Sequence, residues 1–388
     1  MLPRDADADR DIVQLIEARG YPVETHQVVT ADGYVLTMNR IPGGRSSIGD
    51  TAAQECDGSR KPAVLAMHGL LGSAVNWVGN FADQSLGFVL ADAGYDVWLG
   101  NLRGCTLSRG HLNLSADKDA RFWDFSFQEM IEYDLPAMID HVLEETGLSR
   151  IGYVGHSQGT LVMFGLLSSA PEYNDKVALF VALAPVTAPA NVILYGKEQL
   201  LALSQKPELR KMLLKMGEFG EQGPLWQRLG DGLCRSEETV SFCYAISNAS
   251  FGPSAMANLS RFHVYLHQIP AGTSWKNLLH FAQIVRTGKF CKYNYGAYKN
   301  KKRYGQALPP CYTLEKIRAP VAILWGHGDT MSTPWDIDQI RARLSSTVVD
   351  ERVGSGPFAH LDFIYGFDAR SVLHDRVVQL FRQYYDSC

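Results

Sequence analysis

Residues 151–160 read Ile-Gly-Tyr-Val-Gly-His-Ser-Gln-Gly-Thr. The apolar run before Ser157 is typical of a buried strand, and the residues from Gln158 onward have the spacing of a helix. A Gly-X-Ser-X-Gly turn between a strand and a helix is the setting of a nucleophile elbow, whose glycines permit a turn sharp enough to lift the serine above a sheet. The stretch therefore predicts an α/β protein with Ser157 as its nucleophile.

Short apolar runs recur on both sides of this turn. Runs without polar alternation are typical of strands buried on both faces of a parallel sheet. The predicted strands are Ala63–Met67, Asp96–Leu99, Ile151–Val154, Leu179–Ala184, Val321–Trp325 and Val348–Val353. The helical patterns between them are Ser126–Gly147, Gln158–Ser169, Trp335–Leu344 and Val372–Tyr384. This alternation predicts a doubly wound, mostly parallel α/β core.

The alternation stops between residues 191 and 314. Two helical patterns occur there, Lys197–Met216 and Trp275–Thr287, but no clear core strand. A stretch of roughly 120 residues is far too long for a simple connection between a helix and a strand. We therefore predict a core formed by residues 1–190 and 315–388, with residues 191–314 inserted as a mainly helical cap domain.

A serine nucleophile needs a histidine base and an acid that orients this base. Where a serine occupies an elbow of this kind, the acid and then the histidine follow it on loops after later strands. Asp329 follows the strand Val321–Trp325, and His360 follows the strand Val348–Val353. The order of the chain therefore predicts a triad of Ser157, Asp329 and His360.

Neighbouring acids and histidines fit other roles better. Asp336 follows Thr333-Pro334, a pattern typical of the first turn of a helix. Asp362 lies only two residues after His360, too close to brace it from the opposite side. The other candidates precede the acid or fall within helices: His327, Asp338 and His374.

The oxyanion formed during acyl transfer needs two backbone amides as hydrogen-bond donors. One donor usually belongs to the residue after the nucleophile, here Gln158, and the other to a loop after an early strand. That loop is His68-Gly69-Leu70-Leu71-Gly72, directly after Ala63–Met67. We predict the amides of Leu70 and Gln158 as the donors.

The composition excludes several classes of partner. The 388 residues carry a net charge of −4, so no basic excess indicates nucleic acid or an anionic membrane surface.

The most apolar stretch, residues 177–196, is interrupted by prolines and polar residues, which favours a buried strand and loop over a transmembrane helix. The residues after Met1 contain no apolar segment, so we expect no signal peptide here. No metal or organic cofactor is implied, and the oligomeric state is left open.

Seven cysteines are present without a Cys-X-X-Cys pair, which argues against a zinc ribbon or a thioredoxin-like site. Cys234 and Cys243 are close enough in sequence to close a small loop. Three Asn-X-Ser triplets give the candidate glycosylation sites Asn113, Asn248 and Asn258.

Dispersed motifs along nearly the whole chain resemble the acid lipase family, which includes gastric and lysosomal acid lipases. The matching segments are Gly20–Glu24, Ala31–Leu36, His68–Leu71, Asn76-Trp77, Gly94–Asn101, Arg103-Gly104, Phe122–Phe127, Tyr133–Ala137, Gly155–Thr160 and His360–Phe363.

The resemblance implies an α/β-hydrolase fold with a lid in the cap. It places the family's triad on Ser157, Asp329 and His360, and its oxyanion donors on Leu70 and Gln158. It also implies a disulfide between Cys234 and Cys243, and a glycosylated protein that is secreted or lysosomal. Family members hydrolyse triacylglycerols at lipid–water interfaces, and some hydrolyse cholesteryl esters.

Three features depart from the family pattern. The loop at residues 43–60 is longer than usual and contains Cys56. Thr330-Met331-Ser332 replace the more apolar residues expected after the acid Asp329, and Cys105 stands where a polar residue is expected.

These observations favour a lid-gated lipase for neutral lipids. Candidate residues for an apolar acyl groove in the cap are Leu213, Leu214, Met216, Phe219, Leu225, Trp226, Phe251 and Met256. Two alternatives are a soluble carboxylesterase or acyltransferase with the same triad, and a lipid carrier without turnover. An intact triad argues against the carrier.

Overall fold

The computed structural model describes residues 5–45, 60–193, 197–235 and 238–385. In these ranges, nine strands form one sheet: β1 Glu24–Val29, β2 Tyr34–Ile41, β3 Ala63–Met67, β4 Asp96–Gly100, β5 Gly110–His111, β6 Ile151–His156, β7 Val177–Leu183, β10 Val321–Trp325 and β11 Thr347–Arg352. Their order in the sheet is β1-β2-β4-β3-β6-β7-β10-β11, with β5 paired to β2. Most of the loop predicted at residues 43–60, including Cys56, lies outside the described residues, as does Cys388.

The sheet is parallel from β4 to β11, which confirms the predicted mostly parallel core. All six predicted strands lie in this part, and β3 and β10 have the predicted ends. The antiparallel strands β1 and β2 were not predicted. The edge strand β1 has a mixed burial pattern, so its sequence lacks the apolar run that marks the inner strands.

Helices cover both faces of the sheet. The helices of this part are α1 Ile12–Ala18, α2 Leu86–Asp92, α3 Phe127–Glu129, α4 Leu135–Thr146, α5 Gln158–Ser169, α13 Pro334–Arg341, α14 Asp362–Tyr365 and α15 Asp375–Tyr384. On β3, Leu65 and Met67 pack with α4 and α5, whereas Val64 and Ala66 pack with α2 and α15 on the other face. The helix predicted from Ser126 to Gly147 is α3, a π-helical turn and α4.

The segment from residue 191 to 314 contributes no described strand to this sheet. Its helices are α6 Lys197–Ser204, α7 Pro207–Met216, α8 Pro224–Leu233, α9 Val240–Phe251, α10 Phe262–Gln268, α11 Trp275–Thr287 and α12 Ala297–Tyr304, and its strands β8 Glu218–Phe219 and β9 Thr273–Ser274 pair with each other. The single helix predicted over Lys197–Met216 is wrong, because Pro207 begins a new helix. Across the described ranges, we find no helix with the length and apolar character of a membrane span.

Candidate active site

The elbow at Ser157 joins β6 to α5 in a strained conformation, with φ 53° and ψ −117°. The two flanking glycines make this turn possible. A methyl group at Gly159 would lie 2.3 Å from the carbonyl oxygen of Met67, and one at Gly155 would lie 2.8 Å from the backbone of Gly159. Neither contact is sterically possible, so the close approach of β6, α5 and the loop after β3 requires glycine at both positions.

The three residues predicted as a triad meet at the carboxyl end of the sheet. Nε2 of His360 lies 2.8 Å from Oγ of Ser157, and Nδ1 of His360 lies 2.8 Å from Oδ2 of Asp329. The side chain of Asp329 is fully buried and that of His360 is 5% exposed. This geometry allows His360 to accept the hydroxyl proton of Ser157 while Asp329 holds the imidazole.

Asp329 is fixed by its own loop. Its Oδ1 accepts hydrogen bonds of 2.8 Å from the backbone amides of Met331 and Ser332, which leaves Oδ2 for His360. The unusual residues after the acid therefore act through their backbone. Asp336, the nearest competitor, contacts the capping residue Thr333 at the start of α13, as predicted.

The loop after β3 lies directly beside the elbow. A methyl group at Gly69 would lie 3.1 Å from Cβ of Ser157, and Leu71 has a left-handed φ of 61°. Within the described part of the chain, the amides of Leu70 and Gln158 donate to no backbone carbonyl. Both predicted donors are therefore available for an oxyanion at Ser157.

Two buried histidines support these loops. The amide of Leu102 donates to Nε2 of His68, so the ring proton of His68 lies on Nδ1 and is donated to the carbonyl of Gly69. Burial lowers the pKa of His68 to about 4. His156 contacts the carbonyl oxygen of His360 through Nε2 at 2.9 Å, and burial holds its pKa well below the ordinary range. Both rings therefore stay neutral and serve as structural supports.

Two contacts from the 191–314 segment were not predicted from the sequence. The side chain of Asn277, in the first turn of α11, donates to Oε1 of Gln158 at 2.8 Å. Ser254 donates its hydroxyl to Asp362, which also accepts from the amide of Ala359 beside His360. No local pattern could have shown these pairs, because each joins residues more than 100 positions apart.

Four of the described cysteines form disulfides, and one is free. Disulfides join Cys234 to Cys243 and Cys291 to Cys311, the second of which was not predicted. The thiol of Cys105 is free and buried, and burial raises its pKa to about 12.

Among the sequons, Asn113 is exposed, Asn248 is half-buried, and Asn258 is 5% exposed. The side-chain amide of Asn258 donates to Asn80 and Gln84. A glycan on Asn258 would replace one of the two amide hydrogens that make these bonds and would have to fit at a buried side chain, so the structure argues against this one of the three predicted sites.

The parallel sheet and the serine elbow define the α/β-hydrolase class. Residues 62–366 match the family described as alpha/beta hydrolase fold, and residues 12–81 match the partial alpha/beta-hydrolase lipase region. A solved structure described as a candidate lipase from Acinetobacter baumannii covers 100% of this chain and 99% of its own, with a TM-score of 0.52 and 15% identity. That likeness supports the fold alone.

Two curated relatives show to which family of α/β-hydrolases the chain belongs. The chain is 39% identical over 385 residues to gastric triacylglycerol lipase of Bos taurus, covering 98% of this chain and 93% of the relative. It is 37% identical over 386 residues to lysosomal acid lipase/cholesteryl ester hydrolase of Homo sapiens, covering 98% and 92%. The chain belongs to the acid lipase family. This membership supports hydrolase activity.

Proposed function

We propose that this protein is a lipase that hydrolyses ester bonds of neutral lipids, with triacylglycerols as the main class and cholesteryl esters as a further one. The observation that carries this proposal is the unbroken contact from Oγ of Ser157 through the His360 ring to Asp329, with both distances at 2.8 Å. The names of the relatives support the lipid class, since they include a triacylglycerol lipase and a cholesteryl ester hydrolase.

The mechanism follows from this geometry. His360 removes the proton from Ser157 as Oγ attacks the ester carbonyl, and Asp329 stabilises the imidazolium that forms. The amides of Leu70 and Gln158 hold the oxyanion. The alcohol leaves with the proton from His360, and water then releases the fatty acid from the acyl-enzyme by the same steps.

Residues 191–314 would act as the cap, with a lid over Ser157. Large apolar side chains are exposed on three of its helices, which favours contact with a lipid surface. They are Met212, Leu214 and Met216 on α7, Leu225 and Trp226 on α8, and Phe242 and Ile246 on α9. We further propose secretion or residence in the lysosomal lumen, because two disulfides are typical of an oxidising compartment.

The test compares hydrolysis of emulsified long-chain triacylglycerol with that of a short soluble ester, from acid to neutral pH, for the wild type and Ser157→Ala. Emulsion activity that disappears in Ser157→Ala supports the lipase. Turnover of the short ester alone would instead indicate a carboxylesterase, and acyl transfer to an added alcohol in preference to water would indicate an acyltransferase. If neither substrate is turned over and lipid is recovered with the protein, the carrier alternative replaces the proposal.

A further inference from the structure

Three side chains with metal-binding atoms meet at the far edge of the sheet. His26 lies on the edge strand β1, and His141 and Glu145 lie on α4. Each residue offers one possible ligand atom, and these three atoms lie within 4.8 Å of one another. Residues four apart on a helix share one face, so α4 presents His141 and Glu145 to β1 together.

The spacing of the two imidazoles matches a tetrahedral metal ion. Nδ1 of His26 lies 3.2 Å from Nε2 of His141, a hydrogen-bonded contact in which a metal ion would replace the proton between the two rings. Zinc–nitrogen bonds of about 2.0–2.1 Å at tetrahedral angles separate two ligand nitrogens by about 3.3 Å. The carboxylate of Glu145 is on an exposed side chain, which is free to rotate toward the same point.

A second layer of contacts orients His26. Its other ring nitrogen, Nε2, lies 3.3 Å from a carboxylate oxygen of Glu24, which also accepts a 2.9 Å hydrogen bond from Arg40. Metal-binding histidines usually donate their second N–H to a carboxylate in this way, which leaves the facing nitrogen unprotonated. The ring of Trp98 packs against His26 at a centroid distance of 4.6 Å and restricts its rotation.

We propose that His26, His141 and Glu145 form a binding site for a divalent transition-metal ion of the zinc class. Imidazole nitrogens prefer zinc, copper and nickel, and a carboxylate with one water completes four ligands. Three strands, β2, β4 and β3, separate β1 from β6 and Ser157. The ion therefore ties the edge strand β1 to α4 and takes no part in ester hydrolysis.

The test is calorimetric titration of the full chain, without a histidine tag, with Zn²⁺ at pH 7.4. We expect one binding event that His141→Gln removes and that Glu145→Gln weakens about 10- to 100-fold. The matched control is Glu144→Gln, which removes the same charge from the neighbouring exposed position on α4 and should leave affinity unchanged. Co²⁺ in place of Zn²⁺ should give a tetrahedral visible spectrum that His141→Gln abolishes.

One further measurement separates this site from the residues at Ser157. Short-ester hydrolysis should be equal in the wild type and Glu145→Gln, because three strands of the sheet separate β1, which carries His26, from β6 and Ser157. Glu145 is exposed, so Glu145→Gln keeps the test valid if His141→Gln does not fold. The proposal is overturned if the wild type binds no Zn²⁺, or if Glu145→Gln and Glu144→Gln bind it equally.

Discussion

The side-chain amide of Asn277 donates a 2.8 Å hydrogen bond to Oε1 of Gln158, the residue directly after the proposed nucleophile. Oδ1 of Asn277 in turn accepts from the amide of Phe127 at the start of α3. One buried side chain therefore ties α11, in the 191–314 segment, to the elbow and to the sheet's helical layer. The 191–314 segment therefore contacts the residue next to Ser157 directly.

Asn277→Ala should lower kcat for a soluble short ester by about tenfold, equivalent to the ~1.4 kcal/mol of one buried hydrogen bond. The cause is loss of the contact that orients Gln158, whose amide we assign to the oxyanion. Steady-state kinetics together with urea unfolding measure both effects. The control is Asn174→Ala, a buried asparagine that binds Leu167 and Arg318. It should lose stability but keep kcat; equal kcat in both variants would remove Asn277 from the site.

Asp329→Asn should reduce kcat by about 10⁴-fold while leaving the fold intact. An asparagine has one oxygen and one NH₂ group. Whichever way it turns, the NH₂ faces either the donors Met331 and Ser332 or the N–H of His360. His360 is then held in the wrong tautomer or released. Kinetics on the short ester measure the loss, and Asp336→Asn, at the start of α13, should cost stability alone. Loss of kcat in Asp336→Asn together with normal kcat in Asp329→Asn would instead make Asp336 the acid of the triad.

Gly159→Ala should destabilise the protein by about 1–3 kcal/mol, or prevent folding, and should lower activity. The added methyl group would contact the carbonyl of Met67, and relief requires moving β3 away from the elbow. Thermal unfolding measures this. Gly232→Ala is the matched control, because nothing lies within 4 Å of its added methyl group within α8. That control should be neutral or slightly stabilising, and a tolerated Gly159→Ala would contradict the tight elbow.

The sequence was sufficient for the elements with a strong local pattern. The buried strands β3 and β10 and the helices α5 and α11 lie where the apolar spacing places them. The order of the chain also placed Asp329 and His360 on loops that bring them together with Ser157.

Three features were not predicted because each depends on residues outside its own stretch of the sequence. The edge strand β1 is stabilised by pairing with β2 rather than by an apolar run of its own. The buried environment of Asn258 is formed by Asn80 and Gln84, which no triplet around a sequon can reveal. Asn277 likewise gains its role only when α11 packs against the elbow.

His374→Leu should stabilise the protein selectively in acid. Within the described residues, neither ring nitrogen of His374 has a hydrogen-bond partner, and burial lowers its pKa from 6.5 to about 3. Between these values the unfolded chain binds more protons than the folded one, so stability falls as pH decreases below 6.5. From pH 7.5 to pH 5 the wild type should lose up to ~2 kcal/mol more than the variant.

Urea unfolding of wild type and variant at both pH values measures this difference. His280→Leu provides the contrast, because the ring of His280 contacts Ser126 and Cys291 through both nitrogens. The variant His280→Leu should already be destabilised at pH 7.5, because it loses both of these contacts. A pH dependence in His374→Leu identical to that of the wild type would show that this ring does not titrate during unfolding.

Leu225→Ser should weaken hydrolysis of emulsified triacylglycerol without affecting a soluble ester. Leu225 is 67% exposed on α8, so its replacement removes little folded-state packing, whereas burying a leucine in lipid is worth about 1.5–3 kcal/mol. Adsorption to the emulsion should therefore fall about tenfold, with kcat/KM for the short ester unchanged. Leu112→Ser is the matched control, since Leu112 is 63% exposed but lies outside the 191–314 segment. If both variants adsorb equally well, α8 does not contact the lipid; if Leu225→Ser alone is impaired, this helix forms part of the surface through which the enzyme reaches its substrate.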